Sequence, residues 1–236
     1  LAHPIPIVAL DVPDAAAALA LLDRLGPSAT FVKVGLQLFT AEGPGIVREL
    51  RGRDLRIFLD LKLHDIPNTV AHAVQSAAAL DVELLTVHAA GGASMLRAAA
   101  AAAAGTPLTL FGVTVLTSLD ERELAEAWGR ERVEMDGEVE RLARLAAECG
   151  IPGVVASVRE VEAVHRAAPG LRVLTPGIRL AGDAPGDQSR VATPAEAARL
   201  GANYVVLGRS ITAAANPAAA LARAIEEMRD VPLPTG

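Results

Sequence analysis

The sequence predicts an α/β protein folded as a single (β/α)8 TIM barrel spanning residues 1–236. Three observations point there. Eight short apolar, β-branched runs recur along the chain, each followed by an Ala- and Leu-rich stretch with helical spacing. No Gly-rich dinucleotide fingerprint follows the first run, which argues against an open doubly wound sheet. Polar residues gather at the ends of several different runs, and a barrel assembles its sites from strand ends around a ring.

Strands are expected at residues 5–10, 30–34, 56–61, 83–87, 108–116, 153–156, 172–174 and 204–207. Gly26 closes the helix after the first strand, as Gly105 and Gly150 close later ones, by supplying a left-handed cap. The alanine tract at 98–104 reads as a helix face, since alanine is the strongest helix former. Beyond the fifth strand, Ser118-x-x-Glu121 has the form of a capping box, and the Glu/Arg run at 121–134 with Trp128 reads as a solvated helix. Ser157-x-x-Glu160 and Thr193-x-x-Glu196 repeat the box, and Pro194 and Pro217 suit first helical turns. The connection from Gly177 to Ala192, rich in Gly, Asp and Pro, is long for a compact domain and has the length of a functional lid.

The net charge of −6 disfavours nucleic acid and anionic membrane as partners. No apolar run approaches the ~20 residues that span a bilayer. Leu1-Ala2-His3-Pro4 lacks the features of a signal peptide, and the single cysteine, Cys149, excludes an intrachain disulfide and multi-Cys metal sites. The expectation is a cytoplasmic protein. An anionic ligand would need a local cluster of cations to overcome the global field. Only two of the 22 basic residues are lysines, Lys33 and Lys62. Arginine does not replace lysine where a compact charge or a transferable proton is required, so both positions draw suspicion.

Both lysines fall at strand ends. Strand three ends in Asp60-Leu61-Lys62-Leu63-His64-Asp65, and period-2 alternation sends Asp60 and Lys62 inward and Leu61 towards the helices. Lys33 ends strand two, and Asp11 follows strand one. Interleaved Asp and Lys keep every charge paired, which lets an ionised lysine survive partial burial. A purely structural ion-pair network is the bland alternative, but charges in a barrel core are costly. Thr175-Pro176-Gly177-Ile178-Arg179 and Gly208-Arg209-Ser210-Ile211 follow strands seven and eight, whose loops commonly form the phosphate site of a barrel. There glycines admit backbone N–H groups and a guanidinium grips phosphate in bidentate fashion. Gln188 is a further donor in the lid.

The order Asp11, Lys33, Asp60-Leu-Lys62-Leu-His-Asp65-Ile-Pro-Asn-Thr69, Leu116-Thr117-Ser118, Thr175-Pro-Gly-Ile-Arg179, Gln188 and Gly208-Arg209 resembles the orotidine 5′-phosphate decarboxylase family, in its bacterial branch. The similarity runs from strand one to strand eight, and the run from Asp60 to Thr69 is highly specific. It implies a carboxy-lyase that needs no metal or other cofactor, with a nucleotide substrate and a homodimeric assembly. Asp11 and Lys33 would bind the ribose hydroxyls, Asp60 would lie beside the substrate carboxylate, and Lys62 would protonate C6. Asp65 and Thr69 would reach the site of the neighbouring subunit. Thr117 would meet the pyrimidine edge, Pro176 would pack on the ring, and Arg179, Gln188, Gly208 and Arg209 would hold the phosphate.

Two rivals stand beside this reading. Magnesium-dependent decarboxylases of keto-sugar phosphates share an Asp-x-Lys-x-x-Asp motif on strand three, although Lys33 here occupies a place where a metal enzyme wants an acidic ligand. A non-catalytic nucleotide sensor would keep the phosphate grip but has no use for the full Lys/Asp array. The remaining candidates are blander. His88 reads as a hydrogen-bonded core histidine and His64 as a support for Lys62. His3, His72 and His165 show no metal-ligand spacing.

Overall fold

The structure, a computed structural model of the chain, describes residues 2–180 and 192–232. Its eight strands are β1 (Ile5–Ala9), β2 (Phe31–Gly35), β3 (Arg56–Leu63), β4 (Leu84–His88), β5 (Thr109–Val113), β6 (Gly153–Val155), β7 (Arg172–Ile178) and β8 (Tyr204–Leu207). They pair in parallel in chain order and close when β1 meets β8 from Ile5↔Tyr204 to Val8↔Leu207. The expected (β/α)8 barrel is present.

Alternation along the strands sorts the apolar residues into two sets. Val8, Val32, Ile57, Leu59 and Leu85 face outward to the helices. Ile7, Phe31, Phe58, Leu84, Phe111 and Leu174 face inward and fill the barrel. Three of the four phenylalanines are in that inner set, each no more than 1% exposed. Removing such a ring typically costs ~3–5 kcal/mol, so the inner plug is a major part of the stability. Tyr204 meets Phe31 and Phe111 edge-on, with centroids 6.3 and 5.6 Å away. Gly153 makes room for Phe111, because a Cβ there would stand 2.5 Å from a ring carbon. Below the plug, Arg56 lies 4.2 Å over the Phe31 ring and forms a bidentate pair with Glu83 at 2.6 and 2.7 Å. Arg172 caps Phe111 in the same way at 5.7 Å. With its N-terminal end filled, the barrel opens towards the C-terminal ends of its strands.

β5 and β7 depart most from their expected lengths, and β3 runs two residues past 61, to Leu63. β5 stops at Val113, short of 116; Thr114 gives both its N–H, at 3.2 Å, and its hydroxyl, at 2.8 Å, to the carbonyl of Val155, the last residue of β6. β7 runs on to Ile178, past 174. Its Pro176 and Gly177 look like breakers, but a bulge between Thr175 and Ile178 absorbs them, with Gly177 at φ +79.

Helix capping follows the expected chemistry with one correction. Ser157–Glu160 and Thr193–Glu196 form reciprocal boxes, and Pro194 and Pro217 open their helices. Ser118–Glu121 does not. The helix Glu121–Ala127 is capped by Asp120 with Glu123, while Glu121 accepts a hydrogen bond from the Met135 N–H at 2.9 Å. Nor is 121–134 one helix. Gly129 adopts φ +63 and breaks it, and the chain resumes as a separate helix at Met135–Glu148. Half-buried Trp128 packs against the outer core. The two segments are tied by Glu138, whose carboxylate is buried between Arg130 and Arg141. Burial pushes this carboxyl up, but hydrogen bonds from both guanidiniums hold it below the usual carboxylate range.

Candidate active site

The charged residues of the strand ends converge on a cavity of about 550 Å³ at the open end of the barrel. Lys33 rises from β2, buried, and its ammonium donates to Asp11 Oδ1 at 2.7 Å. It also lies 3.7 Å from Asp60 Oδ2. Lys62 donates to both Asp60 oxygens at 2.8 Å. Asp60 is therefore held between two cations, with a side chain only 13% exposed. Burial alone would raise its pKa, but the Coulombic pull of Lys33 and Lys62, with hydrogen bonds from Lys62 and Thr86, holds it below the ordinary carboxylate value. The anion persists at neutral pH.

Lys62 reaches this cavity by a route that strict alternation does not describe. β3 and β4 pair at Leu59↔Leu85 and again at Leu63↔Val87, so four steps along β3 match two along β4. Lys62 sits in the excess at φ +49, a left-handed conformation that costs a side-chain-bearing residue about 1–2 kcal/mol. Such strain collects at functional sites. Asp60 and Lys62 still share the cavity, and Leu61 packs outward as expected.

The same cavity is lined by Thr117, Pro176, Arg179, Gly208 and Arg209. Pro176 is carried by the β7 bulge, and Gly208 caps the short helix that Arg209 opens. Arg179 is buried and donates to the Ile178 carbonyl at 3.0 Å. Its backbone N–H meets the Ala192 carbonyl at 2.9 Å, so the two described ends of the long connection are joined at the cavity rim. Gln188 lies outside the described residues. Among the described residues, four cations and two carboxylates line the cavity, which gives a net-negative molecule a locally positive mouth.

Asp65 and Thr69 are not in this cavity. They are exposed and line a separate depression on the outer side of β3, together with Lys62 and His64. Ile66, between them, is a large apolar residue 66% exposed. His64 and His88 stack at 5.2 Å, but His88 is not the hydrogen-bonded core histidine that was expected. Its Nδ1 is buried without a hydrogen-bond partner among the described residues, and burial, reinforced by His64 and Lys62, lowers its pKa and keeps it neutral. Among the described residues, no group of three or more His, Cys, Asp or Glu is arranged to hold a metal. No helix of the described residues is long and apolar enough to cross a membrane.

Two residues at the site escaped the sequence reading. Thr86, on β4 and fully buried, hydrogen-bonds Asp60 and the Lys62 backbone. Gly35 ends β2, and a Cβ there would stand 2.8 Å from Lys33 Nζ and 3.2 Å from Asp11 Oδ1. Both were legible in principle, since 33 and 35, like 84, 86 and 88, share a strand face. Gly35→Ala should displace the Lys33 ammonium from Asp11 and raise KM for the substrate ~10-fold, about 1.4 kcal/mol. Steady-state kinetics checks this, and an unchanged KM would show that the lysine adjusts without loss.

A (β/α)8 barrel whose open end pairs a buried Lys/Asp array with two arginines is a barrel enzyme built for a small anionic substrate. The chain belongs to the orotidine 5′-phosphate decarboxylase / HUMPS family, whose sequence profile matches residues 4–224. It is 55% identical to the orotidine 5′-phosphate decarboxylase of Moorella thermoacetica over 227 residues, covering 93% of this chain and 89% of the relative. The Synechocystis sp. enzyme of the same name is 48% identical, with 94% and 96% covered. The crystal structure of the Lactobacillus acidophilus orotidine 5′-phosphate decarboxylase superposes with a TM-score of 0.84 at 36% identity, covering 96% of this chain and 99% of that one.

Proposed function

We propose that this chain, as one catalytic barrel domain, decarboxylates orotidine 5′-monophosphate to uridine 5′-monophosphate, the last step of de novo pyrimidine synthesis, without metal or cofactor. One observation carries the reading: Asp60 is held ionised between Lys33 and Lys62 in the cavity that also receives Arg179 and Arg209. Arg179, Arg209, Gln188 and the Gly208 backbone hold the phosphate. Asp11 and Lys33 bind the ribose, Thr117 meets the pyrimidine edge, and Pro176 packs on the ring.

The chemistry follows from the charges. When the bond from C6 to the carboxylate breaks, its electron pair stays on C6 and carbon dioxide leaves. Unit charges ~4 Å apart interact by roughly 4 kcal/mol at an effective dielectric of 20, so an ionised Asp60 repels the carboxylate and the repulsion ends as carbon dioxide departs. Lys62 attracts the charge growing on C6 and then delivers its proton there. That interaction strengthens towards the transition state, which is what accelerates a reaction.

The test is turnover of orotidylate by purified protein in excess chelator, followed by loss of its ultraviolet absorbance and by carbon dioxide release. Activity only with added magnesium and on a keto-sugar phosphate would favour the rival enzyme. Tight uridylate binding without turnover would favour the sensor.

The proposal includes a homodimer working in the cytoplasm. Asp65 and Thr69 face away from their own cavity beside exposed Ile66, a placement that suits donation to a second subunit. Mixing inactive Lys62→Ala and Asp65→Ala subunits should then restore partial activity, because one site of each mixed, two-fold dimer receives both native residues. No recovery after subunit exchange, verified by native mass spectrometry, would place Asp65 in its own subunit's site.

A further inference from the structure

We infer that Thr86 is a positioning residue that sets the geometry of both Asp60 and Lys62 through one hydroxyl. Its Oγ1 accepts the Lys62 backbone N–H at 2.9 Å and donates to Asp60 Oδ1 at 3.0 Å. Both bonds form inside the β3–β4 irregularity, where the ladder skips from Leu59↔Leu85 to Leu63↔Val87. A buried N–H taken out of register needs another acceptor, and the threonine oxygen supplies it. That anchors the left-handed turn at Lys62, whose φ of +49 is unfavourable for a lysine unless its surroundings enforce it. The hydroxyl proton then has one direction left, and it fixes the rotamer of the carboxylate.

The consequence is directional. Asp60 Oδ1 accepts from both Lys62 Nζ and Thr86 Oγ1, so the threonine holds the carboxylate against the lysine while holding the lysine backbone against the carboxylate. Thr86 is fully buried on β4 and does not line the cavity, so its effect on substrate passes through these two residues. Its neighbours on the inner face of β4, Leu84 below and His88 above, offer no hydroxyl in its place.

This inference rests on the decarboxylase reading, so wild-type turnover of orotidylate is measured first; its absence overturns that reading and leaves the Thr86 geometry unassigned to it. Given turnover, Thr86→Val removes both hydrogen bonds at nearly constant volume. The expected result is a ~10–100-fold fall in kcat with KM and uridylate affinity changed less than ~3-fold, because ribose and phosphate contacts remain. Thr86→Ser should recover to within ~5-fold of wild type. The acid limb of the kcat profile should move to higher pH in the valine variant. Asp60 is active as the anion and loses a stabilising hydrogen bond, while Lys33 and Lys62 remain against it. Should the valine protein fold poorly, Thr86→Ala and Thr86→Ser differ by a single oxygen and carry the same contrast. A valine or alanine variant with kcat within ~3-fold of wild type overturns the inference. So does a loss that falls equally on uridylate binding and is not restored by serine, since a packing defect would behave that way.

Discussion

Lys62→Ala should lower kcat for orotidylate by ~10⁴–10⁷-fold, about 5–10 kcal/mol of barrel-mouth catalysis. Two contributions add to that figure. A positioned general acid is typically worth ~10²–10⁴-fold, and a cation aimed at developing charge another ~10²–10³-fold. The ground state also suffers. Without the 2.8 Å contacts from Lys62, Asp60 keeps one cation, Lys33 at 3.7 Å, and an arriving substrate carboxylate meets a less compensated anion. Product has no carboxylate and retains the ribose and phosphate contacts, so uridylate affinity should stay within ~10-fold of wild type. Lys62→Arg separates charge from proton. It preserves the cation but scarcely releases a proton and is longer and planar, so it too should be nearly inactive. Stopped assays on orotidylate with calorimetry on uridylate measure both quantities. Turnover of Lys62→Ala within ~10-fold of wild type would remove Lys62 as the proton donor.

The array around Lys62 was largely readable because strand parity is a rigid rule. Once residues 30–34 and 56–61 are read as strands, Lys33 and Asp60 must face inward, and the structure places them there, 3.7 Å apart. Lys62 also has inward parity, yet parity is not why it arrives. A bulge with a left-handed residue delivers it, and a single sequence does not reveal a bulge whose strained residue is neither glycine nor asparagine. The same blindness shortened β7, where Pro176 and Gly177 read as an end although the strand continues past them. Capping was ambiguous for a different reason. Ser118-x-x-Glu121 and Asp120-x-x-Glu123 both satisfy the pattern, and only the tertiary use of Glu121 by the Met135 N–H selects between them. Thr86 was the avoidable omission, a polar residue at an inward position two before His88, in a strand whose other residues are leucine and valine.

Arg209→Ala should raise KM for orotidylate ~10–150-fold, the ~1.5–3 kcal/mol typical of hydrogen bonding to a charged group, because Arg209 is an exposed residue of the cavity mouth. The magnitude reflects where the residue sits. The molecule carries −6 overall, so a phosphate is drawn to the mouth only by local cations, and among the described residues Arg179 and Arg209 are the arginines lining the cavity, where the proposal puts the phosphate. Binding energy gathered there is remote from C6, and enzymes convert such energy into catalysis by organising the reacting end. For that reason kcat/KM should fall further than KM rises. The nucleoside orotidine, which has no phosphate, isolates the effect. Wild type and Arg209→Ala should turn it over equally slowly, because neither can use a contact that the substrate does not offer. Equal losses on orotidine and orotidylate would mean that Arg209 supports the fold of the β8 loop and does not grip phosphate. Arg209→Lys should recover part of the loss, since it restores a point charge without the bidentate fork.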